Sequence, residues 1–323
     1  MNFIKTVVSL IMFTVCVITG GIPQTVVPKE PAQYSDTVLF MSDFQSKAFK
    51  TDREVSLNAL LDAVKIENPG LVVCGGDYQS SLLTDFYSSF GISELKKIVG
   101  KHWNYDMQYL FVQGNHDPAS TKGLNKTGLY EFNNYIVYTI NEDDYPWKQG
   151  SNSSKEATVK ATADKLNSVL ATLAKSGDKR PVFIVSHLPL HYTSRYNSAD
   201  NKYAEYIFDA INNNSSSLNI VYLYGHNHSG KYDDYIGGAI NYIGKGSTMR
   251  IGGTGNEKTL GFTYTNCGYM GYTANSKTDT SVSTSSATVI TVSNSDLLIK
   301  KYTSDGLYAQ YSVPFNSKAK AAA

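Results

Sequence analysis

Five short motifs, each set directly after an apolar run, constrain this chain more than any other feature of its sequence. They are Ser42-Asp43-Phe44-Gln45, Gly75-Gly76-Asp77, Gly114-Asn115-His116-Asp117, Ser186-His187-Leu188-Pro189 and Gly225-His226-Asn227-His228. The runs before them, Thr37 to Met41, Leu71 to Cys74, Gln108 to Val112, Val182 to Val185 and Ile220 to Tyr224, read as strands. Ligand sites in α/β sheets gather outside the carboxyl ends of strands, so one fold can bring all five motifs together. The glycines beside the polar residues allow sharp turns and close approaches.

Asp43, Asp77, Asn115, His187, His226 and His228 offer oxygen and imidazole nitrogen, the mixture that divalent transition metals accept. Of the 6 histidines, four (His116, His187, His226 and His228) stand inside the motifs, and His191 follows His187 closely. Singly, an Asp after two glycines reads as a turn residue and a strand-end His as a packed core histidine. Five motifs in order, each past a strand, reverse that reading in favour of a metal site.

Between the strands, Val55, Leu57, Leu60, Leu61 and Val64 have helical spacing behind a Thr51/Glu54 capping box, and Asn68-Pro69-Gly70 stops that helix. Further helices are expected over Glu94 to Val99, Glu156 to Ala174 and Tyr203 to Ile211. The last third carries strand signals at Gly237 to Gly244, Ala287 to Val292, Asp296 to Tyr302 and Leu307 to Val313, with a Ser/Thr-rich loop over 276–286. The expectation is one α/β domain over 36–315, ending in a mostly antiparallel sheet and a frayed tail over 316–323.

The first 21 residues differ from the rest. Lys5, an apolar run from Val7 to Ile18 and Thr19-Gly20-Gly21-Ile22-Pro23 have the form of a secretory signal peptide. That run is shorter than the roughly 20 residues a membrane span needs, so no span is expected in the mature chain. Sequons at Asn125, Asn152, Asn213 and Asn214 agree with an exported glycoprotein. Cys16 lies in the leader, and Cys74 and Cys267 leave pairing and free thiols both open. Cys74 itself reads as a small buried hydrophobe. The 29 Lys+Arg and 28 Asp+Glu nearly cancel, so nothing asks for nucleic acid as a partner.

The order of the motifs resembles the calcineurin-like metallophosphoesterases, whose pattern is Asp-x-His, Gly-Asp, Gly-Asn-His-Asp/Glu, Gly-His and Gly-His-x-His. The resemblance extends over about Thr37 to Val313. It implies an α/β fold of two β-sheets sandwiched by helices, with the metal site at the carboxyl ends of the strands. It also implies two divalent metal ions (manganese, iron or zinc) bridged by Asp77. Asp43 and His228 would complete one site, with Gln45 as a candidate further ligand; Asn115, His187 and His226 would complete the other. A hydroxide between the metals would attack the phosphorus of a phosphate-ester substrate, monoester or diester. His116 would stabilise the transition state or protonate the leaving oxygen, and Asp117 would orient His116.

Gln45 stands where most of the family has His, a change that tilts preference from zinc towards manganese or iron. Ser186 stands where the fourth motif has Gly. Asp77 is followed by Tyr78-Gln79-Ser80-Ser81, without the Arg of protein Ser/Thr phosphatases and with Ser80 where purple acid phosphatases need a Tyr, Tyr78 being displaced from that position. The leading expectation is a phosphoesterase that is secreted or held in an endomembrane or lysosome-like lumen. The alternatives are a metal-free scaffold or binding protein on the same fold, or an enzyme like the Ser/Thr phosphatases or nucleotide pyrophosphatases. His102 reads as surface or packing and His191 as support behind the ligands. Arg195 reads as a surface arginine, with a phosphate clamp as the alternative. Of the 24 tyrosines, those in Tyr222 to Tyr242 and Tyr264 to Tyr272 read mostly as strand packing. A few of them lining a cleft would favour a nucleotide-like or diester substrate.

Overall fold

Strands covered on both faces need unbroken apolar runs, and the strands before the motifs supply them. The computed structural model describes residues 36–45, 51–79, 85–192, 201–228, 240–270 and 285–316. The expected leader, Arg195, most of the 276–286 loop and the tail beyond residue 316 lie outside the described residues.

Strands β1 (Thr37–Met41), β2 (Leu71–Cys74) and β3 (Gln108–Phe111) run parallel in one sheet. Strands β13 (Ser286–Val292), β14 (Asp296–Thr303) and β15 (Gly306–Pro314) extend it antiparallel from β1, in the order β15-β14-β13-β1-β2-β3. The second sheet has β4 (Gly128–Glu131), β5 (Ile136–Ile140), β6 (Val182–Ser186), β7 (Ile220–Tyr224), β11 (Thr263–Asn266) and β8 (Tyr242–Ile243), in the order β4-β5-β6-β7-β11-β8. Here β5, β6, β7 and β11 are parallel. Between β8 and β11, β9 (Thr248–Arg250) and β10 (Glu257–Thr259) form a small ribbon. After β11 the chain crosses between sheets, because β12 (Gly268–Tyr269) pairs with β13.

Three apolar cores show how the layers stack. In β1, Val38 and Phe40 face the core between the sheets, while Leu39 and Met41 face helices α1 (Thr51–Val64) and α2 (Asp85–Val99). In β6, Phe183 and Val185 face the core between the sheets, and Val182 and Ile184 face α3 (Ser153–Ser176) and α4 (Ala204–Asn212). The two-residue period of a strand thus serves two cores at once. The sheets meet where the rings of Phe40 and Phe183 pack edge to face at 5.5 Å. Burying such a ring contributes about 1.5–3 kcal/mol, and deleting one costs about 3–5 kcal/mol through the cavity left behind. The architecture is helices, sheet, sheet, helices, as the resemblance implied.

The helices follow their local chemistry. Asn152 caps α3 by accepting the N–H groups of Ser154 and Lys155, and Gly177 closes it with φ 74°. Val159, Ala163, Leu166, Leu170 and Leu173 form its buried stripe. Three expectations need correction. Helix α2 starts at Asp85 rather than Glu94, and the strand expected over 237–244 is only Tyr242–Ile243 within the described residues. The closing strands extend the sheet of β1 rather than forming one of their own. Strand β11 carried no apolar signal because its Thr-Tyr-Thr-Asn run is buried through hydrogen bonds. Thr265 Oγ1 donates to the Asn241 carbonyl at 2.7 Å, and Asn266 Nδ2 to the Ile240 carbonyl at 2.9 Å.

Candidate metal centre

Motif loops leave β1, β2 and β3 from one sheet and β6 and β7 from the other, and their side chains converge between the two carboxyl ends. The backbone draws the loops together first. Asp43 N–H donates to Gly76 O and Gln45 N–H to Asp77 O, both at 2.9 Å. Within the second sheet Gly225 N–H donates to His187 O at 3.1 Å, within the first Met270 N–H donates to Ser42 O at 2.9 Å, and across the sheets His226 N–H donates to Asp43 Oδ2 at 3.0 Å.

One group of contacts joins Asn115, His187, His226 and Asp77. His187 Nδ1 donates to Gly75 O at 2.7 Å, which leaves Nε2 facing the site. Around that nitrogen stand Asn115 Oδ1 at 3.1 Å, His226 Nδ1 at 3.2 Å and Asp77 Oδ2 at 3.3 Å. A second group joins Asp43, His228 and Gln45: His228 Nε2 lies 3.3 Å from Asp43 Oδ1 and 3.1 Å from Gln45 Nε2. Asp77 Oδ2 belongs to both groups, lying 3.5 Å from Gln45 Nε2. Ligand atoms of the fully buried Asp43, Asp77 and His187 lie within 4.8 Å of one another. Lone pairs crowded this closely repel unless positive charge sits among them. The donor set therefore fits divalent cations.

The backbone is strained where these side chains are presented. Among the described residues, seven other than glycine have positive φ, and Asp43, Asp77, Gln45, His226 and His228 are five of them. Two glycines are required by close approach. A Cβ on Gly114 would lie 2.3 Å from Asp77 Oδ1, and one on Gly225 would lie 1.9 Å from Ser42 Oγ and 2.9 Å from Asp43 Oδ2.

The calcineurin-like phosphoesterase family model matches residues 36–230. The chain belongs to the calcineurin-like phosphoesterases. No curated protein matches its sequence. A dimetal phosphatase from Danio rerio has a similar structure (12% identity, TM-score 0.54), the match covering 88% of this chain and 100% of that one. GAP50, the anchor in the inner membrane complex of Plasmodium, is similar at 14% identity and TM-score 0.54, over 87% and 89% of the two chains. The purple acid phosphatase PPD1 of yellow lupin is similar at 13% identity and TM-score 0.54, over 91% of this chain and 56% of its own. Likeness at such identities is likeness of fold.

The electrostatics of this phosphoesterase follow from burial and crowding. Burial opposes ionisation of Asp77, but the neighbouring His187 and the His116 N–H outweigh it and hold the carboxyl well below its usual range. Asp43 is lowered in the same way, burial being outweighed by His228 and His187. Burial disfavours an imidazolium at His187, yet Asp77 and Asp43 push its pKa up to about 10. Burial and the charge of His187 push His226 down to about 3.

Two site residues differ from expectation. Asp117 does not hold His116. Its Oδ2 accepts the N–H groups of Asp77 (2.7 Å) and Gly114 (2.9 Å), and its Oδ1 accepts that of Tyr78 (3.0 Å). Both oxygens are spent on backbone, so its work is to fix the turn that carries Asp77. Gln45 presents its amide nitrogen to the cluster, and ligation through oxygen requires the amide to turn over. His116 donates its backbone N–H to Asp77 Oδ1 at 2.9 Å, and its imidazole, 33% exposed, faces the opening with Nε2 3.9 Å from Asp77 Oδ2.

Other candidates fall into place. His191 Nδ1 meets the Tyr264 hydroxyl at 2.8 Å, and its Nε2 lies 3.5 Å from Asn227 Nδ2, behind the loop that carries His226 and His228. His102 joins α1 to α2 at the surface through Asn58 and Asp62. Cys74 and Cys267 are free, buried thiols. Tyr222, Tyr224 and Tyr264 are fully buried, with hydroxyls tied to backbone, so they line no cleft. Tyr269 does reach the centre, stacked on His228 at 4.4 Å. No sequence signal points to the loop between β5 and α3, which brings Trp147 to 5.4 Å from the His226 ring. No motif marks that loop, and only the sheet order places it there.

Proposed function

We propose that this phosphoesterase is a metal-dependent hydrolase of phosphomonoesters or phosphodiesters, with Asp43, Gln45, Asp77, Asn115, His187, His226 and His228 as its cation ligands. The observation that carries the reading is the buried convergence of Asp43, Asp77 and His187 donor atoms within 4.8 Å, with Asn115 and His226 closing on the same point. Divalent ions at such a centre supply an acidified water and neutralise charge on phosphoryl oxygens. The chain's own residues do the rest. Asp77 serves both halves of the donor set, and Asp117 keeps it there through backbone hydrogen bonds. His116, at the opening, is placed to deliver a proton from its imidazole to the leaving oxygen. Export into an extracellular or lumenal compartment is supported by the leader-like first 21 residues and the sequons. Among the described residues no helix is long and apolar enough to cross a membrane.

The test is hydrolysis of p-nitrophenyl phosphate and bis-p-nitrophenyl phosphate by purified protein. It is run metal-stripped and then with manganese, iron or zinc restored, beside an Asn115→Ala/His116→Ala variant. Metal-dependent turnover that the variant lacks is the expected result. No turnover with any metal, and no metal retained, would sink the assignment and leave a scaffold on the same fold.

A further inference from the structure

The loop between β5 and α3 ends in a turn that holds a non-glycine residue at positive φ. Of the seven non-glycine residues with positive φ among those described, five are proposed ligands and Asn68 closes a helix. The seventh is Lys148, at φ 53°. Backbone held in that region persists only where the surroundings over-determine it, and such residues cluster at functional sites.

The surroundings of Lys148 do over-determine it. Glu142 Oε1 accepts the Trp147 N–H at 2.9 Å, and Lys155 Nζ donates to the carbonyls of Trp147 (2.6 Å) and Lys148 (3.1 Å). Buried Gln149, the next residue, accepts the Tyr203 N–H at 2.5 Å. On that backbone Lys148 Nζ lies 4.1 Å above the Trp147 ring, and that ring packs edge to face on His226. Lys148 is exposed, so solutes can reach it. A positive charge thus stands one ring away from a centre whose own side chains are mostly acceptors.

We infer that Lys148, seated on Trp147, is the residue by which the site prefers doubly charged phosphomonoesters to singly charged phosphodiesters. The inference rests on the phosphoesterase reading above. Above the second phosphate pKa of about 6, a monoester carries two charges on its free oxygens, whereas a diester carries one. A cation there attracts the dianion more strongly than the monoanion. It touches no proposed ligand through a hydrogen bond, so it acts on substrate binding rather than on the bound ions.

The experiment compares wild type, Lys148→Met and Lys148→Arg on p-nitrophenyl phosphate and bis-p-nitrophenyl phosphate. Lys148→Met is expected to lower kcat/KM for the monoester about tenfold, mainly through KM, and to leave the diester nearly unchanged. Lys148→Arg is expected to restore the monoester. Equal loss on both substrates, or an unchanged ratio, would overturn the inference while leaving the phosphoesterase reading intact. Absence of wild-type turnover would overturn both. A binding measurement stands beside the kinetics. The chain has 2 tryptophans, so Trp103→Phe leaves Trp147 as the reporter. Inorganic phosphate should change its fluorescence saturably, and adding Lys148→Met should raise the half-saturating concentration about tenfold. The same half-saturating concentration with Met at 148 would count against the inference.

Discussion

The Asp117 carboxylate accepts the backbone N–H of Asp77 at 2.7 Å on the same oxygen that accepts Gly114 N–H at 2.9 Å. One buried side chain thus positions the shared ligand candidate and the glycine that abuts it. Burial and the Asp77 charge push Asp117 up to about 7, against the pull of the Gly114 and Tyr78 N–H groups.

Removing that carboxylate should therefore be felt in stability before chemistry. Asp117→Ala leaves three buried N–H groups without an acceptor, at about 1–3 kcal/mol each before relaxation. Asp117→Asn keeps one acceptor oxygen and should lose less. Urea unfolding of both variants checks the order, and equal midpoints would contradict it.

The two close-approach glycines should behave differently from a turn glycine. Gly114→Ala and Gly225→Ala drive a methyl into Asp77 and into Ser42 and Asp43, so each should cut activity by about a hundredfold or more. Gly306 has φ 115° with open space around it, so Gly306→Ala should lose about 1–3 kcal/mol of stability through backbone strain alone and little activity. Rates and melting temperatures of the three variants distinguish them.

Metal uptake should release protons. His187 is raised to about 10, burial being outweighed by Asp77 and Asp43, so the metal-free protein carries an imidazolium there at neutral pH. Cation binding requires the neutral ring, so affinity should weaken as pH falls. Because the folded value lies above the unfolded one, this pairing stabilises the metal-free protein fully below about 6.5 and is lost as pH rises through about 10. Calorimetric titration with manganese in buffers of different ionisation enthalpy checks the release, and a buffer-independent heat would refute it.

The acid limb of stability should depend in part on Asp178. The side-chain hydrogen bond from Arg180 outweighs burial and holds this carboxyl below its usual range. A lowered folded value means the contribution is present above the unfolded pKa of about 3.9 and is lost as pH falls through the folded one. Asp178→Asn should flatten the fall in urea midpoint between neutral and acidic pH. The effect should be small, because the pair is partly exposed and screened.

Much of this was legible beforehand, for reasons visible at particular residues. The runs Thr37–Met41, Leu71–Cys74 and Ile220–Tyr224 read as strands because burial on both faces demands continuous apolar sequence. The motif residues identified themselves by chemistry and by their place at strand ends. Helix α3 announced its length through Asn152, its apolar stripe and Gly177. Strand β5 also had a plain signal, Ile-Val-Tyr-Thr-Ile, although no strand was expected there.

What the sequence determined by itself was the roster: which side chains can donate to a cation, in what order, after which strands. Only the tertiary structure decided partnership. Asp117 turned from its neighbour His116 to backbone that includes Asp77 and Tyr78, and His191 found Tyr264, 73 residues away. Trp147 came beside His226, with Lys148 over its ring. Local patterns encode turns and strand periods, because those are set within a few residues. Contacts between distant side chains depend on strand order, register and the crossing of β11 to β12, which no local spacing contains.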